Sequence, residues 1–511
     1  MRLLGAVKAC FGPAAVAAAL TVVMCPAVTA GSAASAAVTG PQGGSAPAPG
    51  EVRAISCTWR GTCSAVGDMR KPSQKILFTV GERNGVWGTA RAVPGLAALP
   101  GYGDTTGQFT GLSCSSAGNC GAGGSYATAK GSRAFVVNEV HGIWRKAEEV
   151  PGLAKLGARH STIPTMSCPS AGNCGASGTY TGTRGHVEPF VVSEKRGIWG
   201  RAENVSGMAK LNTFGQAILD KISCPSANNC VGVGYYSARN GGDIDTGPVV
   251  VIEKNGKWGK ARAFPRIIAE SPYSNAYFAD VWCDPITNCL VWGALQVSPN
   301  EEAGFFINEK HGVWGPFPSH AAEQRSGLST VEHGNAAEGD NIAASSDDTL
   351  SCLSPGNCTA GGDYNDGANP ADSQPLISTE THGKWGSGQT LPGVAALSAS
   401  SGQAFLTGLR CRSAGNCSAV GWAVGGSSEG DVVFLSTEKN GVWGQATVLA
   451  GLPAPPQGTR FTAFGPVLSC GAPGDCSVGG WYSNGNYPYA RRYAFVATQK
   501  KGVWGDAQLV H

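Results

Sequence analysis

Between Ile55 and His511 a single frame of cysteine and tryptophan is repeated eight times, and it limits the fold more than any other feature of the chain. Each copy opens with two cysteines separated by five residues: Cys57/Cys63, Cys114/Cys120, Cys168/Cys174, Cys224/Cys230, Cys283/Cys289, Cys352/Cys358, Cys411/Cys417 and Cys470/Cys476. Each copy then closes on Gly-x-Trp, at Trp87, Trp144, Trp199, Trp258, Trp314, Trp385, Trp443 and Trp504. A unit of about 57 residues with four short strand-like runs cannot bury its own faces, whereas copies packed around a ring can. The frame therefore predicts an all-β, eight-bladed β-propeller with four antiparallel strands per blade, spanning 54–511.

Composition agrees with a turn-rich β protein, since 75 of the 511 residues are Gly and only 14% are charged. Residues 1–36 read as a secretory signal, with Arg2 and Lys8 ahead of the apolar run Ala14 to Val23 and small-residue cleavage positions after Ala30 or Ala36. Met24 occupies the position before Cys25 where a lipoprotein signal wants a small residue. The Pro/Gly/Ala-rich stretch 37–53 reads as a flexible leader. Without Arg2 and Lys8, the 38 basic residues become 36, against 35 acidic. Such balance offers no overall electrostatic footprint for nucleic acid or an anionic membrane. No stretch of the mature chain reaches the ~20 apolar residues of a membrane helix. The expected product is secreted and monomeric.

Within a repeat, the first Cys is expected to end strand A and the second to open strand B, with the five residues between them as hairpin loop. Opposed strands at that spacing bring the sulfurs together. In an exported chain, eight regular pairs favour disulfides over metal ligands, giving Cys57-Cys63, Cys114-Cys120, Cys168-Cys174, Cys224-Cys230, Cys283-Cys289, Cys352-Cys358, Cys411-Cys417 and Cys470-Cys476. Strands C and D meet at X-Gly pairs from Asn84-Gly85 to Lys501-Gly502, which suit a two-residue type I′ turn. His141, His311 and His382 are thereby turn residues. Gly recurs four residues after the second Cys (Gly67, Gly124, Gly178, Gly234, Gly293, Gly362, Gly421, Gly480), as where another strand approaches closely. Glu recurs five residues before the Trp in seven copies, with Gln499 in the eighth, and a hydrogen-bonding role opposite the Trp suits a residue repeated so often. Because the chain begins on strand A and ends on strand D, blade 8 is expected to close on blade 1 by packing, with no strand exchanged.

At Ser167 to Cys174 and Ser223 to Cys230 the chain resembles exported actinomycete repeat proteins that carry Ser-Cys-Pro-Ser-Ala-x-Asn-Cys and Glu-x-x-Gly-x-Trp-Gly. The resemblance covers essentially the whole mature chain. It implies a secreted, propeller-like protein and carries no established activity. More distantly, the C-to-D turn is similar to the Asp-box hairpin of sialidase-type propellers. It lacks the Asp and spaces Gly to Trp differently, so sialidase chemistry is not carried over.

Function is expected on the face formed by the B-to-C and D-to-A connections, because those vary while the A-to-B and C-to-D turns repeat. Variable stretches are Tyr235 to Pro248, Asp363 to Pro375, Trp481 to Tyr493 and the Pro316 to Thr349 connection. Trp422, Trp481, Tyr487 and Tyr489 stand outside the frame and, with Arg491 and Arg492, are the candidate ligand-binding residues. Tyr126, Tyr180, Tyr236, Tyr364 and Tyr482 recur six residues after the second Cys and are assigned to packing. The leading reading is a binding protein for an extracellular glycan or protein, without chemistry or cofactor. One alternative is a glycan-cleaving hydrolase or lyase with carboxylates at the channel mouth, which the polar residues from His320 to Asp348 are able to supply. A structural envelope protein is the other. Gly426 to Gly430 matches Gly-x-Ser-x-Gly but lies in a hairpin loop rather than at a strand-to-helix elbow. Asp363, Asn365, Asp366 and Asp372, or Asp243 and Asp245, supply hard oxygens of the kind calcium takes, without EF-hand spacing.

Overall fold

Eight separate antiparallel sheets, one for each copy of the frame, make up the computed structural model. It describes residues 48–511 apart from 72–73, 285–287, 299–300, 316–340, 344–348, 366–372, 400, 426–429, 454–461 and 484–490. Blade 1 shows the plan: strand A is Gly50–Trp59, B is Thr62–Lys71, C is Gln74–Arg83, and D comes in two pieces, Val86–Trp87 and Arg91–Ala92. Strand A thus starts at Gly50, inside the stretch expected to be leader. Strand D is split because its second piece pairs with C one residue out of step with the first.

The A strands of successive blades pack against one another round the ring, and Gly50–Trp59 closes it against Thr462–Ala472 of blade 8. Each blade's apolar faces pack on its neighbours'. The core is correspondingly divided into seam clusters, such as Val52, Ile55, Ala65 and Phe78 of blade 1 with Ala494 and Val496 of blade 8.

All eight expected disulfides are present, with Cα–Cα distances of 3.9 to 4.1 Å. The hairpin that carries them is tighter than expected. In blade 2, strand A runs on past Cys114 to Ser116 and strand B begins at Asn119, so the turn is Ala117-Gly118 with Gly118 at φ 70°. A one-residue bulge beside the turn accommodates that left-handed residue. At the C-to-D turns the expected type I′ geometry holds: Asn84, His141, Arg196, Asn255, His311, His382, Asn440 and Lys501 all have φ between 50° and 53°.

Two further repeated residues tie the blades together. Ser immediately before the first Cys accepts the backbone N–H of the next blade's first Cys: Ser56 from Cys114 (3.0 Å), Ser113 from Cys168 (2.9 Å), Ser167 from Cys224 (3.0 Å) and Ser223 from Cys283 (3.1 Å). Ser469 of blade 8 accepts from Cys57 of blade 1 at 2.9 Å, so the closing seam carries the same bond. The recurrent Glu lies directly opposite the Trp, as in the Glu82/Trp87 and Glu194/Trp199 pairs. In blades 1, 3 and 4 both side chains then reach across to the preceding blade. Trp258 Nε1 donates to Ser193 Oγ (3.0 Å), which itself donates to Glu253 (2.7 Å). At the closing seam, Trp87 Nε1 donates to Thr498 (3.0 Å), while Thr498 and Ser477 donate to Glu82 at 2.6 and 2.8 Å. Blade 8 therefore closes on blade 1 by packing, as expected, and also through polar contacts that recur at other seams.

A second bulge, in strand A, sets up the candidate site. In blade 4, Leu219 faces Gly234 and Lys221 faces Val233, leaving Asp220 without a partner. The matching bulge residues are Arg53 in blade 1, Thr110 in blade 2, Ala279 in blade 5 and Thr407 in blade 7. This is why the recurrent Gly is needed opposite. A Cβ on Gly67 would lie 2.0 Å from Glu51 O, and one on Gly234 would lie 2.2 Å from Ile218 O.

Candidate functional site

The two faces of the ring differ chemically because one is built from the frame and the other is not. On the A-to-B/C-to-D face, Asn before the second Cys bridges the two turns, as where Asn229 Oδ1 accepts from Asn255 N at 3.0 Å and its amide donates to Ser226 and Ala227. A cavity of about 430 Å³ there, between blades 2 and 3, is lined by Asn119, Glu139, His141, Asn173, Glu194 and Arg196, all at frame positions. It is therefore part of the scaffold.

The opposite face holds a cleft of about 620 Å³ between blades 4 and 5, lined by residues that the frame does not fix. Gln216, Asp220 and Lys221 come from the blade 4 strand A region, Tyr235 and Ser237 from its strand B, and Asn275, Tyr277 and Ala279 from the blade 5 strand A region. Both bulge residues, Asp220 and Ala279, line it, as expected of a bulge that re-aims a side chain. Burial pushes the Asp220 carboxyl up to about 6, against a smaller opposing pull from Lys221. The Tyr235 phenol is raised as well, by burial first and then by the Asp220 charge. At the cleft, Thr246 N of blade 4 donates to Ser274 O ahead of blade 5, and within blade 5 Gln296 N donates to Asn275 O, each at 2.8 Å. Two phenol rings, two amides, an ammonium and a carboxyl thus converge on one concavity. Such a set is suited to holding a ring-shaped polar molecule by stacking and hydrogen bonding.

The residues singled out from sequence fall in two other places. Trp422 is half-buried in strand B of blade 7 and stacks on Phe405 of strand A at 4.4 Å. Trp481, half-buried in strand B of blade 8, lies beneath the Arg492 guanidinium at 4.1 Å. Arg492 also pairs with Glu51 of blade 1, and Arg491 beside it is exposed. Tyr487 and Tyr489 lie outside the described residues, as do His320 to Asp340, Asp347, Asp348 and residues 426–429 of the Gly-x-Ser-x-Gly match.

Among the recurrent tyrosines, Tyr126, Tyr180, Tyr236 and Tyr482 are buried, in keeping with packing. Tyr235 to Pro248 is not the expected loop: strands B and C of blade 4 pair without interruption from Tyr235/Pro248 to Asn240/Asp243, closing on Gly241-Gly242. Asp243 and Asp245 accordingly sit on a projecting hairpin, with Asp245 accepting from Asn240 at 3.0 Å. Asp363 is buried and accepts the Leu406 N–H at 2.8 Å. Asp366 and Asp372 lie outside the described residues. Among the described residues, the cluster with metal-ligating spacing is Cys57, Cys63 and Glu82, whose sulfurs are bonded to each other.

Asp220, Tyr235 and Tyr277 were missed by the sequence reading, yet a signal exists. Asp220 stands four residues before the first Cys, where the eight copies carry Arg53, Thr110, Pro164, Asp220, Ala279, Asp348, Thr407 and Pro466. Tyr235 stands five after the second Cys, the same position as Trp422 and Trp481. A position that varies inside a strict frame marks the places where the copies are not doing the same job.

No protein-family model matches the chain, and no curated protein matches it. Among solved structures it is similar to a polysaccharide lyase described as an ulvan lyase, at 10% identity and TM-score 0.42, covering 89% of this chain and 96% of that one. It is similar also to a xyloglucanase from Xanthomonas campestris, at 12% identity and TM-score 0.40, covering 80% of this chain and 58% of the other. A Hadza microbial sialidase matches at 8% identity and TM-score 0.34, over 52% of this chain and 57% of its own. The chain thus spans somewhat over half the length of the last two.

Proposed function

We propose that the protein is an extracellular binding protein that takes a glycan into the cleft between blades 4 and 5. The observation that carries this reading is the convergence of Tyr235, Tyr277, Asp220, Gln216 and Asn275 on one concavity of about 620 Å³. Tyrosine faces supply apolar area for a sugar ring, while the carboxyl and amides match its hydroxyls. Eight disulfides belong to an oxidising compartment, which supports export. Among the described residues the cleft lining includes one carboxyl, Asp220, an acceptor for sugar hydroxyls.

The test is a glycan array probed with the full chain, followed by calorimetry on the hits. Tyr235→Ala and Tyr277→Ala are expected to weaken binding by roughly 1–3 kcal/mol each. Array hits indifferent to both substitutions, or reducing ends released from any hit, would overturn the reading.

A further inference from the structure

The seam between blades 8 and 1 carries a second feature on the variable face, a chain of five alternating charges. Arg492 of blade 8 pairs with Glu51 (2.5 Å), Glu51 with Arg53 (2.6 Å), Arg53 with Asp68 (2.9 Å) and Asp68 with Lys75 (3.0 Å). The chain begins and ends on a cation. Its anions lie below its cations: the carboxylate side chains of Glu51 and Asp68 are 8% and 7% exposed, whereas those of Arg492 and Arg53 are 50% and 32% exposed. What solvent meets is therefore positive. Exposed Arg70, in register with Lys75, and exposed Arg491, beside Arg492 in sequence, extend it, and exposed Lys71 follows Arg70.

The geometry also fixes the guanidiniums before any ligand arrives. The Arg492 guanidinium sits over the Trp481 ring at 4.1 Å while Glu51 holds its Nη1. Arg53 sits at the strand A bulge, gripped by two carboxylates. An arginine so held loses little side-chain freedom on binding, and its free edge is suited to two parallel bonds with a carboxylate or sulfate. A chain with almost balanced total charge does not require such a local excess.

We propose that this seam is an anion-binding site for a carboxylated or sulfated polysaccharide, distinct from the blade 4–5 cleft. Trp481 is its positioning residue and Arg53 and Arg492 are its ligand-binding cations. Polygalacturonate supplies carboxylates, heparin supplies sulfates, and dextran is the neutral control. Full-length protein should bind at least one polyanion well above dextran and lose that binding steeply as salt rises. Arg53→Gln/Arg492→Gln should weaken it by roughly tenfold or more. Because those changes also leave buried carboxylates short of partners, the exposed triple Arg70→Gln/Lys71→Gln/Arg491→Gln provides a second arm and should weaken binding without lowering Tm. Arg184→Gln/Lys210→Gln/Lys257→Gln removes the same charge elsewhere and should leave binding unchanged. Trp481→Phe should retain binding that Trp481→Ala loses. The proposal fails if neither polyanion exceeds dextran, if the distant triple weakens binding as much as the seam triple, or if a short DNA duplex binds as well as the best polyanion. Tyr235→Ala leaves polyanion binding intact if the two sites are separate, so failure here is distinguishable from failure of the cleft reading.

Discussion

Replacing Glu194 with Gln should abolish one defined part of the protein's pH dependence. Glu194 is 2% exposed, sits opposite Trp199 and accepts from the Asn138 amide of the preceding blade. Burial pushes its carboxyl from 4.5 to about 7, the Asn138 bond pulls it back, and the nearby Glu148 charge adds to the rise. His141 and Arg196 line the same cavity. A carboxyl raised on folding stabilises the fold fully below its unfolded value and ceases to do so as pH climbs through its folded value. The loss here should fall between pH 4.5 and about 7 and, from that rise, amounts to ~3 kcal/mol. Gln499, which fills this position in blade 8, shows that the amide fits: it accepts from Ser418 at 3.1 Å and donates to Thr437 at 2.8 Å. Glu194→Gln carries no such titration. Equilibrium guanidinium unfolding of both proteins, disulfides intact, at about pH 4 and about pH 8 should therefore give a stability difference that shifts by ~3 kcal/mol in favour of the variant at the higher pH. Any constant effect of the amide cancels in that comparison. A difference that stays flat within ~0.5 kcal/mol across the range would refute the burial argument.

Two further outcomes follow from the seams and the staples. Ser56→Ala removes the acceptor for the Cys114 N–H and should cost about 1–2 kcal/mol, with increased hydrogen exchange at Cys114 as the local readout. Intact mass before and after reduction should differ by about 16 Da for the eight bridges, and peptide maps should show every link confined to one blade.

What was legible in the sequence is what is local. Cys114 and Cys120 lie six residues apart, and Asn84-Gly85 is a complete turn, so each declares its own geometry. The buried tyrosines could be assigned to packing because the frame repeats them. Ser56 recurs in six of the eight copies, but its partner is 58 residues away in the next blade, and only the closed ring reveals the bond. The role of Glu was half legible: facing Trp is a hairpin property, whereas reaching Ser193 or Thr498 is a property of the seam. The cleft was illegible for a related reason. Asp220 acquires its direction from a bulge whose position depends on how strand A registers against Gly234, and Tyr277 belongs to another blade altogether. Trp481 and Arg492 were visible as residues outside the frame, but Glu51 and Arg53 were hidden in what read as leader.

The bond from Cys57 to Ser469 has a consequence for how the chain can be cut. Because it repeats the link made by Cys114 to Ser56, and Trp87 meets Thr498 much as Trp258 meets Ser193, the seam where the termini fall is bonded like other seams. The order of blades along the polypeptide is then a matter of covalent bookkeeping rather than of architecture. A gene rearranged to begin at Gly207 and end at Ser206, with the present termini joined by a linker, should still specify the same ring, and the clefts between its blades would keep their neighbours.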